Sequence, residues 1–181
     1  MPMSFFHISP DSIRRLRQRL DAHDPSLAAT LLHDAGFATG EAMAAAWSGR
    51  IKERTGLADP GRLDHRWFDT LFAELSRDLG WGSPSLTELG DEALLIESED
   101  WAESVEASSP HPACHFTAGA LAAFLSALAG GPIAVLEVEC RSAGKSRCAF
   151  VAGSPAMISA TWDLVVAGGD WRDGFAATRT A

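Results

Sequence analysis

Hydrophobic positions recur with a helical period through the N-terminal half of the chain. Ile13, Leu16 and Leu20 follow one another at three- and four-residue steps, which predicts an amphipathic helix. Ser9-Pro10-Asp11 opens it, because serine caps a helix and proline suits its first turn, and it runs to about Ala22. Asp24-Pro25 opens the next helix, with Leu27, Leu31 and Leu32 as its apolar stripe. Gly36 and Gly40 stand four residues apart within it. Small residues at that spacing on one helix face let another backbone approach closely. The same helical pattern continues through Met43, Trp47 and Ile51 and ends near Gly56. Asp59-Pro60-Gly61 is a turn. From Asp64 to Leu79 a third helix is predicted, with Trp67, Phe68, Leu71, Phe72 and Leu75 facing inward.

Beyond Gly80-Trp81-Gly82 the period shortens. Leu86–Leu89 and Ala93–Glu97 are short apolar runs around Gly90-Asp91, a hairpin signal. Trp101 to Ala107 reads as loop or a short helix, and residues 108–112 as loop. Ala113–Ala129 is a strongly apolar helix. Ile133–Glu139 and Cys148–Val151 read as paired strands, with residues 141–146 as the loop between them. Gly153-Ser154-Pro155 opens a last helix that stops at Gly168-Gly169, and the tail 170–181 is expected to fray. The twenty residues from Gly119 to Val138 hold only one charge, Glu137. Gly130-Gly131-Pro132 breaks them into a buried helix and a buried strand, each too short to span a bilayer. The prediction is one α+β domain over residues 1–181, its core about 10–168. Several N-terminal helices pack with a small antiparallel sheet.

Composition narrows the function. The chain has 181 residues, 46% hydrophobic and 22% charged. A chain of this length is expected to form one domain without disulfide staples. Its net charge of −9 argues against direct nucleic-acid binding, which needs clustered Lys and Arg. The one basic cluster, Arg14, Arg15, Arg17 and Arg19, is expected to be a solvated helix face. Met1–His7 lacks the pattern of a signal peptide, so a reduced, cytoplasmic protein is expected, with no membrane partner. Gly144-Lys145-Ser146 resembles the end of a phosphate-binding loop, but position 139 is glutamate where that motif needs glycine. No G-x-G-x-x-G, H-E-x-x-H or G-x-S-x-G occurs, and no carboxylate pair stands out as an acid/base couple.

Three cysteines are an odd number for a disulfide framework. Cys140 and Cys148 flank the hairpin loop, and Cys114 starts the apolar helix, where a helix N-terminus favours thiolate. Three thiolates and one further ligand make a closed tetrahedral zinc site. Glu137, Glu139, His115 and His111 are candidates for the fourth. On a regular strand Glu137 and Cys140 face opposite ways, so they share a metal only if the strand bulges or turns near Glu139-Cys140.

From Cys114 to Phe150 the chain resembles the 4-vinyl reductase domain family, related in fold to the small subunits of the TRAPP transport complex. The resemblance rests on Cys114-His115-Phe116-Thr117-Ala118-Gly119, Glu137-Val138-Glu139-Cys140, Gly144 and Cys148-Ala149-Phe150. Softer matches are Gly36-Phe37 with Gly40, Leu79-Gly80-Trp81-Gly82 and Ser104-Val105-Glu106-Ala107. The resemblance implies a structural zinc ion held by Cys114, Glu137, Cys140 and Cys148, and so selects Glu137 among the alternatives. It also implies a homodimer and a pocket for a small hydrophobic or aromatic ligand, for which Phe68, Phe72, Trp81, Trp101, Phe116 and Phe124 are candidates. The expected function is a zinc-stabilised sensor or carrier domain. The alternative is a subunit or pigment carrier of a tetrapyrrole vinyl reductase. No nicotinamide or flavin fingerprint accompanies that alternative, so a self-sufficient enzyme is not expected. Signalling or reduction would need a separate partner.

Overall fold

Proline in the first turn and a capping side chain before it open three of the helices. Ser9 accepts from the Ser12 N–H ahead of α1 (Pro10–Asp21), Asp24 from Ser26 and Leu27 ahead of α2 (Pro25–Thr55), and Ser154 from Met157 ahead of α5 (Pro155–Val166). The computed structural model describes residues 9–90 and 92–176. Between α2 and α5 lie α3 (His65–Asp78), strands β1 (Ser85–Leu89) and β2 (Ala93–Ser98), α4 (His115–Ala129), and strands β3 (Ala134–Glu139) and β4 (Cys148–Gly153). A single turn, α6 (Asp173–Ala176), ends the described chain. The predicted order of elements is the observed one, and the fold is a single α+β domain. The expectations for Met1–His7, Asp91 and residues 177–181 lie outside the described residues.

The sheet is antiparallel throughout, in the order β1-β2-β4-β3. Strand β4 is buried along its whole length, as a central strand covered on both faces must be. Its residues divide by the two-residue period. Cys148, Phe150 and Ala152 join the main core with α2, α3 and α4, whereas Ala149 and Val151 join a second core with Ile158, Trp171 and Phe175. In the main core Trp47 meets Phe68 and Phe124 edge-on, at 5.3 and 5.7 Å between ring centroids. Such pairs add about 0.5–1.5 kcal/mol beyond the area they bury.

Helices α2 and α4 make the tightest contact in the molecule. A Cβ at Gly36 would overlap the Phe116 carbonyl, one at Gly40 the Ala120 carbonyl, and one at Gly119 the His33 carbonyl. The Gly36/Gly40 spacing therefore marks a close backbone crossing.

Three parts of the helical reading are corrected. Leu27 and Leu31 are exposed, as is Leu16 of α1, because α2 turns its small-residue face, Ala28-Leu32-Gly36-Gly40, into the fold instead. Trp67 is 58% exposed, outside the inward face of α3. Arg17, expected in solvent, is 1% exposed, for the reason given below. The start of the tail does not fray: Trp171 and Phe175 are buried in the second core, and the Arg172 guanidinium lies 4.4 Å from the Trp171 ring. No helix among the described residues is long and apolar enough to cross a membrane.

The glycine crossing predicts opposite outcomes within one helix. Gly40→Ala should lower stability by about 1–3 kcal/mol through overpacking. A Cβ at Gly49 meets nothing within 4 Å, so Gly49→Ala should raise stability by up to about 1 kcal/mol from helix propensity. Urea unfolding of the two variants beside the parent measures both. Equal stabilisation by both would show that the helices do not cross on Gly40.

Candidate functional site

Strand β3 departs from regular pairing before it ends. Glu137 pairs with Phe150 and Glu139 with the adjacent Ala149, so Val138 is an extra residue, a β-bulge. The bulge reverses the side-chain alternation and lets Glu137 and Cys140 serve one site, as a shared metal requires. Cys140 then opens a tight turn over Arg141–Ala143, and the chain returns to Cys148 at the start of β4. Cys114 occupies the N-cap position of α4, where its side chain makes no capping bond.

These elements gather four side chains. The ligand atoms of Cys114, Glu137, Cys140 and Cys148 all lie within 4.8 Å of one another and could hold a metal ion. The Cys114 sulfur is 3.8 Å from that of Cys140 and 3.9 Å from that of Cys148. Glu137 Oε2 accepts the Cys114 backbone N–H at 2.9 Å, while its Oε1 is buried with no hydrogen-bond partner. An orphaned carboxylate oxygen beside three buried sulfurs is the donor set of a thiophilic cation, so the residues fit one.

The protonation pattern follows from crowding. Hydrogen bonds from the Cys114 and Cys148 thiols, opposed by burial, hold the Cys140 sulfur well below the ordinary thiol value. The other groups then keep their protons. Cys114 is pushed up by its bonds to Cys140 and Cys148 and by burial. At Cys148 the Cys114 contact pulls down, but Cys140 and burial push the thiol up to about 12. Glu137 is raised by burial and by the Cys140 charge, against the Cys114 N–H bond.

The other candidate ligands are placed elsewhere. Glu139 is ion-paired with Arg147 at 3.3 Å and with Arg172. Although burial opposes it, Arg172 and Arg147 hold that carboxyl below its usual value. His111 is exposed. His115 falls outside the cluster, and burial lowers its pKa.

Around the cluster, two buried charges anchor the start of α4. Glu103, 2% exposed, accepts the N–H groups of Phe116 at 3.1 Å and Thr117 at 2.8 Å, supplying the cap that Cys114 does not. Arg17 reaches in from α1 and donates to the carbonyls of Glu103 and Ala113, to Ser142 Oγ and to Ser108 Oγ. Those acceptors explain its burial. Nothing in the local pattern separates Arg17 from its exposed neighbours, since its partners lie 86 to 125 residues away.

A cavity of about 530 Å³ opens at the opposite end of α4. Its walls include Leu63, Phe68, Leu94, Leu125, Leu128 and Ile133, and Glu88 and Glu92 also line it. Of the six aromatic residues predicted to line a pocket, Phe68 is the one that reaches this cavity. Phe72, Trp101 and Phe124 are sealed in the core, and Trp101 donates its indole N–H to Thr117 Oγ1 at 2.7 Å. Trp81 packs edge-on against Phe116, at 5.9 Å. The aliphatic wall was missed because apolar residues at a helix end and a strand end read as ordinary core.

Residues 98–154 match the family model of the 4-vinyl reductase domain. The matched segment holds all four cluster residues and runs from the end of β2 to the residue after β4. The rest of the chain adds the helices that pack against this segment. Among solved structures, the phenol-responsive sensory domain of the transcription activator PoxR, with phenol, is similar at 16% identity and a TM-score of 0.63, covering 83% of this chain and 77% of that one. That likeness shows the shared fold. A vinyl-4-reductase family protein from Methanocaldococcus jannaschii aligns at 18% identity over 83% of this chain and 97% of its own, with a TM-score of 0.49. No curated protein sequence matches the chain.

Burial raises the Glu103 carboxyl from 4.5 to about 7, despite the bonds from Thr117 and Phe116 and the nearby Arg17. A raised folded-state pKa means that the folded protein holds the proton more tightly than the unfolded chain. Stability of the metal-free protein is therefore highest below about 4.5 for this group and declines as pH rises through about 7. Glu103→Gln should flatten the decline, and Glu103→Ala should cost about 1–3 kcal/mol by leaving two buried N–H groups without an acceptor. Urea midpoints across that pH range measure both.

Proposed function

We propose that the chain is a zinc-stabilised domain of the 4-vinyl reductase type that binds a small hydrophobic ligand, as a sensor or carrier, in the cavity at the end of α4. The observation that carries the reading is the arrangement along this one helix. Its N-terminus sits on a four-residue cluster that could hold a metal ion, and its C-terminus forms the wall of an apolar cavity. Clefts of roughly 300–1,000 Å³ with apolar walls and a few polar groups are the usual form of small-molecule sites. The PoxR domain, solved with phenol, supports the sensor reading.

Cys114, Glu137, Cys140 and Cys148 would hold the ion. Three thiolates and a carboxylate fill a tetrahedral site and leave no position for reactive water. The zinc would supply a cross-link, not catalysis: it would tie the start of α4 to the β3–β4 turn. Exposed Leu16, Leu27 and Leu31 supply apolar surface that the homodimer implied by the family resemblance would bury. We place the domain in the cytoplasm, because three free, unpaired cysteines suit a reducing compartment. Output to a signalling or enzymatic partner completes this reading.

Two measurements test it. Because Cys114, Cys148 and Glu137 keep their protons without metal, zinc uptake should release about three protons per ion. Calorimetry in buffers of different ionisation enthalpy reads that number, and affinity should fall steeply on acidification. Cys148→Ser should lose the ion by metal analysis and unfold at lower temperature. Full zinc retention would remove the proposed site. For the cavity, octanol should raise the melting temperature of the zinc-loaded protein, and Leu128→Trp, which fills the space, should abolish that shift.

A further inference from the structure

Resting on the small-molecule reading above, we infer that the occupant of the α4 cavity is a hydrophobic cation: an apolar body bearing a protonated or quaternary amine. Two carboxylates, Glu88 at the end of β1 and Glu92 just before β2, line the cavity. Both residues are exposed, and neither carboxylate makes an ion pair or hydrogen bond among the described residues. No lysine, arginine or histidine lines it.

Helix α4 contributes to the same field. Leu125, Leu128 and Ala129 bring its last turn to the wall, and no basic residue stands in that turn. The carbonyl end of a helix carries about half a negative charge, which favours cations. Three sources of negative potential therefore border an apolar space of about 530 Å³. A neutral ligand leaves them unused, and an anionic ligand would be repelled by all three. Arg66 lies in the adjoining groove, which shares Phe68, Glu88 and Leu94 with this cavity, and it is not ion-paired to Glu88 among the described residues. An alkyl or aryl body against Leu94, Leu125 and Leu128 would leave its ammonium group at the carboxylate edge.

Octylamine, octanol and octanoate share one apolar body and differ in charge, so calorimetry with the three on the zinc-loaded full chain isolates the charge effect. At low salt, octylamine should bind about five- to tenfold more tightly than octanol, the scale of two exposed ion pairs and a helix terminus. Octanoate should bind most weakly, and added salt should shrink the spread. Glu88→Gln combined with Glu92→Gln should bring octylamine to the level of octanol and leave octanol unchanged. If octanol equals or exceeds octylamine, or if the amine preference survives in the double variant, the cationic class is wrong while the apolar cavity stands on the octanol result. If none of the three binds, or if Leu128→Trp leaves octanol binding intact, the cavity reading falls and this inference falls with it.

Discussion

The contact between α2 and α4 is the constraint from which the rest of the structure follows. Three glycines allow the two backbones to meet carbonyl to Cα, with no side chain between them. Contact that close sets the rotation of α2 about its axis, because one face only has room for it. Ala28, Leu32, Gly36, Gly40, Met43, Ala44 and Trp47 then turn inward together. Leu27 and Leu31 are left outside. Burial of a large side chain is worth about 1.5–3 kcal/mol, so leaving two leucines in water is a real cost. It is offset by the dense packing of α4, which is buried on most of its surface through Leu125.

With its position set, α4 must satisfy both of its ends. At the N-terminus the first amide groups point into protein, and the N-cap side chain, a cysteine, makes no capping bond. Glu103 and Glu137 supply the acceptors for Cys114, Phe116 and Thr117. Arg17 satisfies the Ala113 carbonyl just before the helix. At the C-terminus Gly130 turns the chain in the left-handed conformation, and the last turn lies along an open cavity.

Local signals made most of the fold legible. Capping residues and prolines marked the openings of α1, α2 and α5, and two-residue periodicity marked the strands. The cluster was legible because hairpin geometry brings Cys140 and Cys148 together, and because a strand irregularity had to exist if Glu137 was to join them. The bulge at Val138 is that irregularity. What stayed hidden depends on distance along the chain. Arg17 looks like its neighbours Arg15 and Arg19 until residues from four later segments surround it. Aromatic residues misled in the opposite direction. Phe72 and Phe124 pack on each other at 5.5 Å in the core, while aliphatic residues at the ends of elements line the cavity. Composition identifies residues that like an apolar environment, but it does not say whether protein or ligand provides it.

The charge on the cluster explains why a metal suits this position better than bare side chains. Three thiols and one carboxyl share a space only 4.8 Å across, and four negative charges cannot coexist there in a dry interior. Without a cation the site holds one stabilised sulfur and keeps protons on the rest. Glu137 Oε1 then remains buried without a partner, a penalty of about 1–3 kcal/mol. A divalent ion would bind that oxygen and neutralise half of the four charges. The remainder would face the positive end of α4, where a helix terminus favours anions, with Arg17 already anchored beside it. The site is thus matched to its location. A hydrophobic replacement of the cluster would fill the volume but leave the Cys114 amide without the acceptor that Glu137 provides.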